Sequence, residues 1–234
     1  MRAVALTDVG ITRENNEDYF IVQENLNFFI VSDGIGGYQA GEIASEIASK
    51  TIVEALKQSQ HFSFENDIDK FFTEANEAIL QYVITHPECR GMGTTVVVAY
   101  MTETDIWIAN VGDSRCYGIT QNSIDQLSED HSLVTELVKR GSISIKEAEK
   151  HPDRNIITSA LGVDRNFDVF KNKFNRNEFN YLLLCSDGLS DMVSSQELMD
   201  VVKGVSFEQI PKALVDLANN HGGKDNITVI CIEL

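Results

Sequence analysis

Two strongly apolar runs in this chain end in the same three residue types, Ser-Asp-Gly. Residues 28–31 lead into Asp33, and Tyr181–Cys185 leads into Asp187. Short apolar runs bounded by turn residues are typical of buried strands, so each strand delivers an aspartate at its exit. The glycine behind each aspartate lets the backbone turn sharply and exposes its carbonyl oxygen as a candidate ligand for a hard cation.

Strand pairing would bring further acids to the same place. A polar turn folds the strand that begins at Asp18 antiparallel onto the first apolar run, which places Glu17 and Asp18 beside Asp33. By the same logic, Asp225 enters the last strand of the chain and shares an edge with Asp187. The sequence therefore predicts a cluster of carboxylates at one edge of a sheet.

Asp113, at the exit of another strand, adds to this cluster. Carboxylates that converge without a counter-charge repel one another and acquire raised pKa values, and a divalent cation removes the conflict. Since the candidate ligands are all oxygens, they suit Mg²⁺ or Mn²⁺ better than Zn²⁺. Any single Asp-Gly pair is more commonly just a turn, but that explanation is hard to hold for the whole set.

The charge of the chain limits its partners. It has 36 acidic and 19 basic residues, a formal net charge of −17. The resulting field repels phosphodiester backbones and anionic lipid headgroups, so neither nucleic acid nor a membrane is expected as a partner. For most of the acids, a solvated surface is the simpler explanation.

Length and composition predict one cytoplasmic domain. The 234 residues, 43% of them hydrophobic, can bury one substantial core, and with only three prolines nothing reads as a linker. The four cysteines show no metal-binding spacing and are interpreted as reduced core thiols. No signal-peptide core or membrane-spanning run is found. We expect a monomer in which residues 1–234 form a single catalytic domain.

Periodicity predicts an α+β fold. Apolar residues repeat at helical spacing within 44–55 and 68–83, which predicts two helices. The β-branched runs at 94–100, 105–111 and 115–119 predict an antiparallel meander. Further helices are predicted near 133–138, after the capping box of Ser194 and Glu197, and near 210–217. Helices that arrive in consecutive pairs favour a four-layer α-β-β-α sandwich, an antiparallel β-sandwich flanked by helix pairs. Residues 141–162 have weak periodicity and look like an excursion from this core.

Eight groups of residues follow one another along the chain in an order found in a known family. They are 7–10 with Arg13 and 16–18, then 31–37, 91–95, 110–115, 130–132, 158–162, 186–189 and 225–228. Together they closely resemble the motifs of the metal-dependent protein phosphatases, also called protein phosphatase type 2C, and especially the compact bacterial members. The resemblance runs nearly end to end. It implies a β-sandwich flanked by helix pairs and hydrolysis of phosphoserine and phosphothreonine in proteins.

The resemblance also implies the roles of the acids. Two Mn²⁺ or Mg²⁺ ions per active site would be held by Glu17, Asp33, the Gly34 carbonyl, Asp187 and Asp225, with Asp33 bridging the two. Asp18 would hold metal-bound water, and a third, weaker ion would bind to Asp113 and Asp187. The excursion at 141–162 would be a flap beside the active site.

A centre of two divalent ions implies direct attack of a metal-bound hydroxide on the phosphoryl group. They acidify a shared water, and the hydroxide that bridges them would attack phosphorus directly. Ser32 and Ser186 have no adjacent histidine base, so a covalent serine route has no support. Arg13 stands where the family has its phosphate-binding arginine, although composition alone favours a surface role. Ile35 replaces the histidine of better-known members, so a metal-bound water is expected to protonate the leaving group.

Two other functions stay open at this point. One is a catalytically silent module that binds phosphoproteins, and the other is a different two-metal phosphoesterase such as a nuclease, which the acidic surface argues against. The expected partners of the enzyme are phosphorylated proteins and a cognate cytoplasmic Ser/Thr kinase, with a phosphorylated stress regulator as the alternative. Structural roles are favoured for His131 and His151.

Overall fold

Two antiparallel sheets stack face to face at the centre of this computed structural model, which describes residues 1–36, 40–148, 150–163 and 165–234. With strands numbered in chain order, the first sheet contains β1 (Arg2–Asp8), β11 (Ile227–Glu233), β10 (Tyr181–Cys185), β7 (Arg115–Ile119) and β8 (Ile124–Gln126), in that spatial order. The second contains β2 (Asp18–Gln23), β3 (Phe28–Ile35), β5 (Val96–Met101), β6 (Asp105–Val111) and β9 (Phe170–Asn175), and the two-residue β4 (Gly93–Thr94) pairs with β3. Gly37, the last residue of the second motif, lies outside the described residues.

Side chains that alternate along each strand explain why the central strands are apolar throughout. In β3, Phe28 and Ile30 pack in the core beneath one pair of helices, whereas Phe29 and Val31 pack between the sheets. Successive side chains of a strand point to opposite faces, so a strand covered on both faces needs apolar residues at every position. Strands β10 and β11 divide their side chains in the same way.

Helices cover both outer faces of the sandwich. In chain order they are α1 (Ala40–Gln58), α2 (Phe64–Thr85), α3 (Leu133–Lys139), α4 (Ile145–Ala148), α5 (Asp187–Ser190), α6 (Ser195–Gly204) and α7 (Ile210–Asn220). The pair α1 and α2 lies on the second sheet, and α6 and α7 lie on the first. The predicted four-layer α-β-β-α sandwich is confirmed, as is the capping box of Ser194 and Glu197 at the start of α6.

The predicted meander is wrong at its third strand. Strands β5 and β6 pair antiparallel in the second sheet, but β7 belongs to the first sheet, where it pairs with β10. Between β6 and β7, Gly112 adopts a φ of 92°. This left-handed conformation redirects the chain from one sheet to the other, which only glycine does at low cost.

Three further observations bear on the predictions. The four cysteines are buried and free, and burial raises the pKa of Cys185 and of Cys231 to about 12. Within the described ranges, no helix is both long and apolar enough to cross a bilayer. The described part of residues 141–162 holds α4 and a series of turns. Glu149, inside that segment, lies outside the described residues.

Candidate active site

A pocket of about 270 Å³ lies where strand ends from both sheets meet. It is lined by Arg13, Glu17, Asp33, Gly34, Ile35, Gly36, Thr95, Asp113, Asn155, Ile157, Asp187 and Asp225. The structure therefore brings together every predicted site residue except Asp18. The lining residues include five carboxylates and one guanidinium, so the wall of the pocket is strongly acidic.

Pairing of β2 with β3 places the first group of acids. Asp18 and Asp33 are directly paired in the register of these strands, and the Gly34 N–H donates to the Glu17 carbonyl at 3.1 Å. Helix α1 begins against Glu17, since a Cβ added to Gly41 would lie 2.6 Å from Glu17 Oε2. The predicted convergence of these three acids at one strand edge is confirmed.

Pairing of β10 with β11 places Asp187 and Asp225 in the same way. Asp187 is the first residue of α5, directly after β10, and Asp225 stands two residues before β11. A Cβ added to Gly188 would lie 3.4 Å from the Asp225 side chain and would collide with the Asn226 carbonyl. The glycine after Asp187 is therefore needed for a close backbone approach.

Asn226 joins the two halves of the site, a role that the sequence analysis missed. Its side-chain oxygen accepts the Glu17 N–H at 2.8 Å, and its amide nitrogen donates to the carbonyls of Val9 and Asn15 at 3.0 and 2.8 Å. Three bonds from one buried amide attach the segment before β2 to the start of β11. Its place in the 225–228 motif was the one sequence signal for this role.

Thr95, which lies between β4 and β5, supports Asp33 and was also missed. Its hydroxyl accepts the Asp33 N–H at 3.1 Å, and its own N–H donates to the Asp33 carbonyl at 2.9 Å. The same hydroxyl lies 2.7 Å from Ser114 Oγ, next to Asp113. Thr95 therefore holds the turn after β6 against the end of β3.

Asp18 lies beneath the pocket and does not line it. Its Oδ2 accepts the Ser186 hydroxyl at 2.7 Å, and its Oδ1 is buried without a hydrogen-bond partner. Burial, followed by the charges of Asp187 and Asp225, raises the pKa of Asp18 to about 7. A buried acid that does not line the pocket can affect the pocket only through another group.

The pKa values of four carboxylates that line the pocket are also raised. Burial raises the pKa of Asp113 to about 8 and that of Asp187 to about 6, with further contributions from neighbouring carboxylates. Burial and the charges of three neighbouring aspartates raise the pKa of Asp33 well above its usual value. Burial also raises the pKa of Glu17. Positive charge in the pocket would restore all four to the ionised form.

Arg13 is the one cation among the lining residues. Its Nη2 lies 2.7 Å from Asp225 Oδ2, and half of its side chain is exposed. A hydrogen bond to Asp225 raises the pKa of Arg13, assisted by the charges of Asp225, Glu17 and Asp33. The guanidinium therefore stands at the rim of the acidic wall, within reach of a group that enters the pocket.

The residues present fit divalent cations by charge and by donor type. All candidate ligands are oxygens, and Asp187 Oδ1 is buried without a hydrogen-bond partner, as an oxygen reserved for a cation would be. Within the described part of the chain, no three His, Cys, Asp or Glu side chains already form a ligand cage. Asp225 is paired with Arg13, so a cation bound by Asp225 would compete with Arg13 for this carboxylate.

Two pocket residues come from the excursion at 141–162. Asn155 and Ile157 line the pocket, and Asn155 Nδ2 donates to Asp191 Oδ2 at 2.9 Å, directly after α5. Nothing in the sequence pattern pointed to these two residues. Ile35 also lines the pocket, and its apolar side chain cannot donate a proton there.

Comparisons with known proteins agree with this geometry. The family model for protein phosphatase 2C matches residues 11–226. The serine/threonine phosphatase stp of Listeria welshimeri is 40% identical, over 100% of this chain and 96% of that protein. The chain therefore belongs to the protein phosphatase 2C family, and the prediction that it is an enzyme, a protein phosphatase, is confirmed.

Solved structures show the same fold. The crystal structure of serine/threonine phosphatase Stp1 from Staphylococcus aureus has a TM-score of 0.93 and 36% identity, covering 99% of this chain and 94% of that chain. The catalytic domain of PstP, a serine threonine protein phosphatase, was solved in complex with two manganese ions. It has a TM-score of 0.86 and 28% identity, covering 99% of this chain and 97% of that chain.

Proposed function

We propose that this protein hydrolyses phosphoserine and phosphothreonine in proteins with the aid of two divalent metal ions, Mn²⁺ or Mg²⁺. The observation that carries the proposal is the pocket itself, in which five carboxylates from both sheets converge around a single arginine. A relative named as a serine/threonine phosphatase and a structural neighbour with two manganese ions support it.

The ligands that we propose for the two ions are Glu17, Asp33, the Gly34 carbonyl, Asp187 and Asp225, with Asp113 and Asp187 for a third, weaker ion. When bound, the ions would supply the positive charge that stabilises the transferring oxygens and makes a water a better nucleophile. The ionised carboxylates would hold that charge in place. The side chains of Asn226 and Thr95 keep Glu17 and Asp33 in position by accepting their backbone N–H groups.

Arg13 would bind the phosphoryl group. Its planar fork offers two parallel N–H donors, the geometry that a phosphate accepts. In the structure one of its donors is used by Asp225, and the side chain is half exposed. Neutralisation of Asp225 by a cation would weaken this pair and leave the guanidinium available to substrate. Asp18 would act from below, through Ser186 and the groups above it.

The substrates that we propose are phosphorylated proteins, with a cytoplasmic Ser/Thr kinase as the opposing enzyme and a monomer of one domain as the working unit. Residues 141–162 would act as a flap that contacts the substrate. Asn155 and Ile157 support this role because both line the pocket. The net charge of −17 argues against nucleic acid and membrane partners.

Hydrolysis of p-nitrophenyl phosphate and of a phosphothreonine peptide, with Mn²⁺ and with EDTA, tests the proposal. We expect Mn²⁺-dependent turnover that Asp187→Asn abolishes. Asp216→Asn is the matched control, because Asp216 is exposed and pairs with Lys212 on the surface of α7, away from the pocket. A parent protein that binds the phosphopeptide but never hydrolyses it would contradict the proposal and favour a binding module.

A further inference from the structure

Gly112, the residue before Asp113, both donates a hydrogen bond to His131 and accepts one from it. The Gly112 N–H donates to His131 Nδ1 at 3.2 Å, and the His131 N–H donates to the Gly112 carbonyl at 3.0 Å. These two bonds hold the two peptide units on either side of the Gly112 Cα. The side chain of His131 therefore defines how the chain enters the Asp113 turn, which we define as residues 112–114.

The turn has little freedom to adjust if this support is lost. Gly112 has a φ of 92°, and a Cβ at that position would lie 2.6 Å from the Thr95 Cβ. The side chain of Asn110 donates to the Gly112 carbonyl at 3.1 Å and to the Glu129 carbonyl at 2.8 Å. The end of β6 is thus tied to the segment that carries His131.

The same segment carries the base of the proposed flap, which we define as residues 156–158. The Thr158 N–H donates to the His131 carbonyl at 2.8 Å, and the Leu133 N–H donates to the Ile156 carbonyl at 2.8 Å. Between these bonds Ser132 and Ile157 pair as an antiparallel bridge. The flap base and the Asp113 turn are therefore both attached to one residue, His131, the first through its carbonyl and the second through its N–H and its ring.

The ring of His131 suits an acceptor role. The side chain is partly buried, and burial lowers its pKa, so the neutral ring is favoured. A neutral imidazole has one nitrogen free to accept, and here that nitrogen is Nδ1.

We propose that His131 is a positioning residue that holds the Asp113 turn and the flap base as one unit. The inference rests on the proposed function in one respect, namely that Asp113 binds a cation. Loss of the Nδ1 acceptor would free the Gly112 amide, loosen Asp113, and allow the flap base to move independently of it.

Two substitutions at His131 separate the acceptor from the bulk of the ring, and two elsewhere serve as the control and as a test from the flap side. His131→Asn keeps an acceptor oxygen close to the place of Nδ1, whereas His131→Gln moves it one methylene farther. His151→Gln is the matched control, since His151 Nδ1 also accepts a backbone N–H, that of Asp153 at 3.2 Å, within residues 141–162. Thr158→Pro removes the flap-side bond and leaves the ring in place.

Two readouts decide the outcome, hydrogen exchange at 112–114 and 156–158 and calorimetric titration with Mn²⁺. We expect His131→Gln to speed exchange in both segments and to weaken the weakest Mn²⁺ binding step roughly 10-fold, the effect of losing a group that orients a ligand. His131→Asn and His151→Gln should resemble the parent in both readouts. Thr158→Pro should speed exchange at 112–114 although it changes nothing in that turn.

The proposal is overturned if folded His131→Gln exchanges like the parent, if only one segment loosens, or if His131→Asn is as defective as His131→Gln. If His131→Gln does not fold, the Thr158→Pro variant decides by itself. Exchange at 112–114 equal to that of the parent would then overturn the proposal. Failure of the proposed function would look different, since the parent itself would then show no metal-dependent turnover while exchange still reports the coupling.

Discussion

Asp18 and Asp33 are directly paired residues of β2 and β3, yet only Asp33 lines the pocket. The partner acid is buried against Ser186. Strand pairing thus puts both carboxylates on one face of the sheet. Burial then separates Asp33, which can contact a cation in the pocket, from Asp18, which contacts Ser186 instead. This division separates the roles that we propose for the two residues.

Asp33→Asn should abolish catalysis and leave the metal-free fold intact. Asparagine has the shape of the protonated carboxyl that the raised pKa of Asp33 favours, but it cannot supply the charge that would bind cations. We expect kcat to fall by about 10³-fold or more. The Tm in EDTA should stay close to that of the parent, while Mn²⁺ no longer raises it. Kinetics and thermal unfolding with and without Mn²⁺ measure this, and an Mn²⁺-induced rise in Tm equal to that of the parent would contradict it.

The stability of the metal-free protein should fall as pH rises from about 5.5 to 8.5. The pKa values of Asp187, Asp18 and Asp113 in the folded protein are about 6, 7 and 8. An unfolded aspartate has a pKa of about 4, so over this range the native state holds more protons than the unfolded state. The free energy of unfolding therefore falls as pH rises, until the native state has lost these protons too. Thermal unfolding in EDTA across this range measures the slope.

Asp113→Asn serves as the comparison in that experiment. Because it removes the group that titrates near pH 8, the variant should lose less stability than the parent above pH 7. The general repulsion from the net charge of −17 acts on both proteins and cancels in the difference. Equal slopes for parent and variant would show that Asp113 does not titrate as the structure indicates.

Arg13→Ala should weaken substrate binding much more than metal binding. The guanidinium is half exposed and lies at the rim, so its removal leaves the carboxylates in place. A charge-assisted pair of hydrogen bonds is worth about 1.5–3 kcal/mol, which corresponds to a rise in KM of roughly 10- to 100-fold. Arg13→Lys keeps the positive charge but lacks the two parallel N–H donors of the guanidinium. Its KM should lie between those of the parent and of Arg13→Ala. A variant with the turnover number and KM of the parent would exclude the role.

Asn226→Ala should destabilise the protein and weaken Mn²⁺ binding together. The substitution leaves the Glu17 N–H and the carbonyls of Val9 and Asn15 without their partner. We expect the free energy of unfolding to fall by about 2–3 kcal/mol, since buried groups lose hydrogen bonds. Asn122→Ala, at an exposed position, is the control and should change stability by less than about 0.5 kcal/mol. Urea unfolding and Mn²⁺ titration measure both effects, and unchanged Mn²⁺ binding would show that Asn226 supports the fold alone.

Local patterns were sufficient for most of the fold. The amphipathic helices α1 and α2, the apolar strands β3 and β10, and the cap at Ser194 are all specified by residues close together in the chain. Strand β9 was not predicted, because its alternating Lys and Asn residues are largely exposed and only pairing with β6 makes it a strand. Strands β1 and β8 lie at sheet edges and depend on partners in the same way.

For the candidate site too, local features were predicted from the sequence, whereas contacts between distant segments were not. The sequence by itself determined which acids lie at or near strand ends, because the apolar period and the Ser-Asp-Gly triplets are local features. In the structure Asp33 lies inside β3, two residues before its end, because Gly34 and Ile35 pair with β4. Only the tertiary structure decided that β7 joins the first sheet, that Asn155 and Ile157 enter the pocket, and that Asp18 lies below it. These outcomes depend on which distant segments meet and on how deeply each carboxylate is buried, and burial is also what raises the pKa values of the acids.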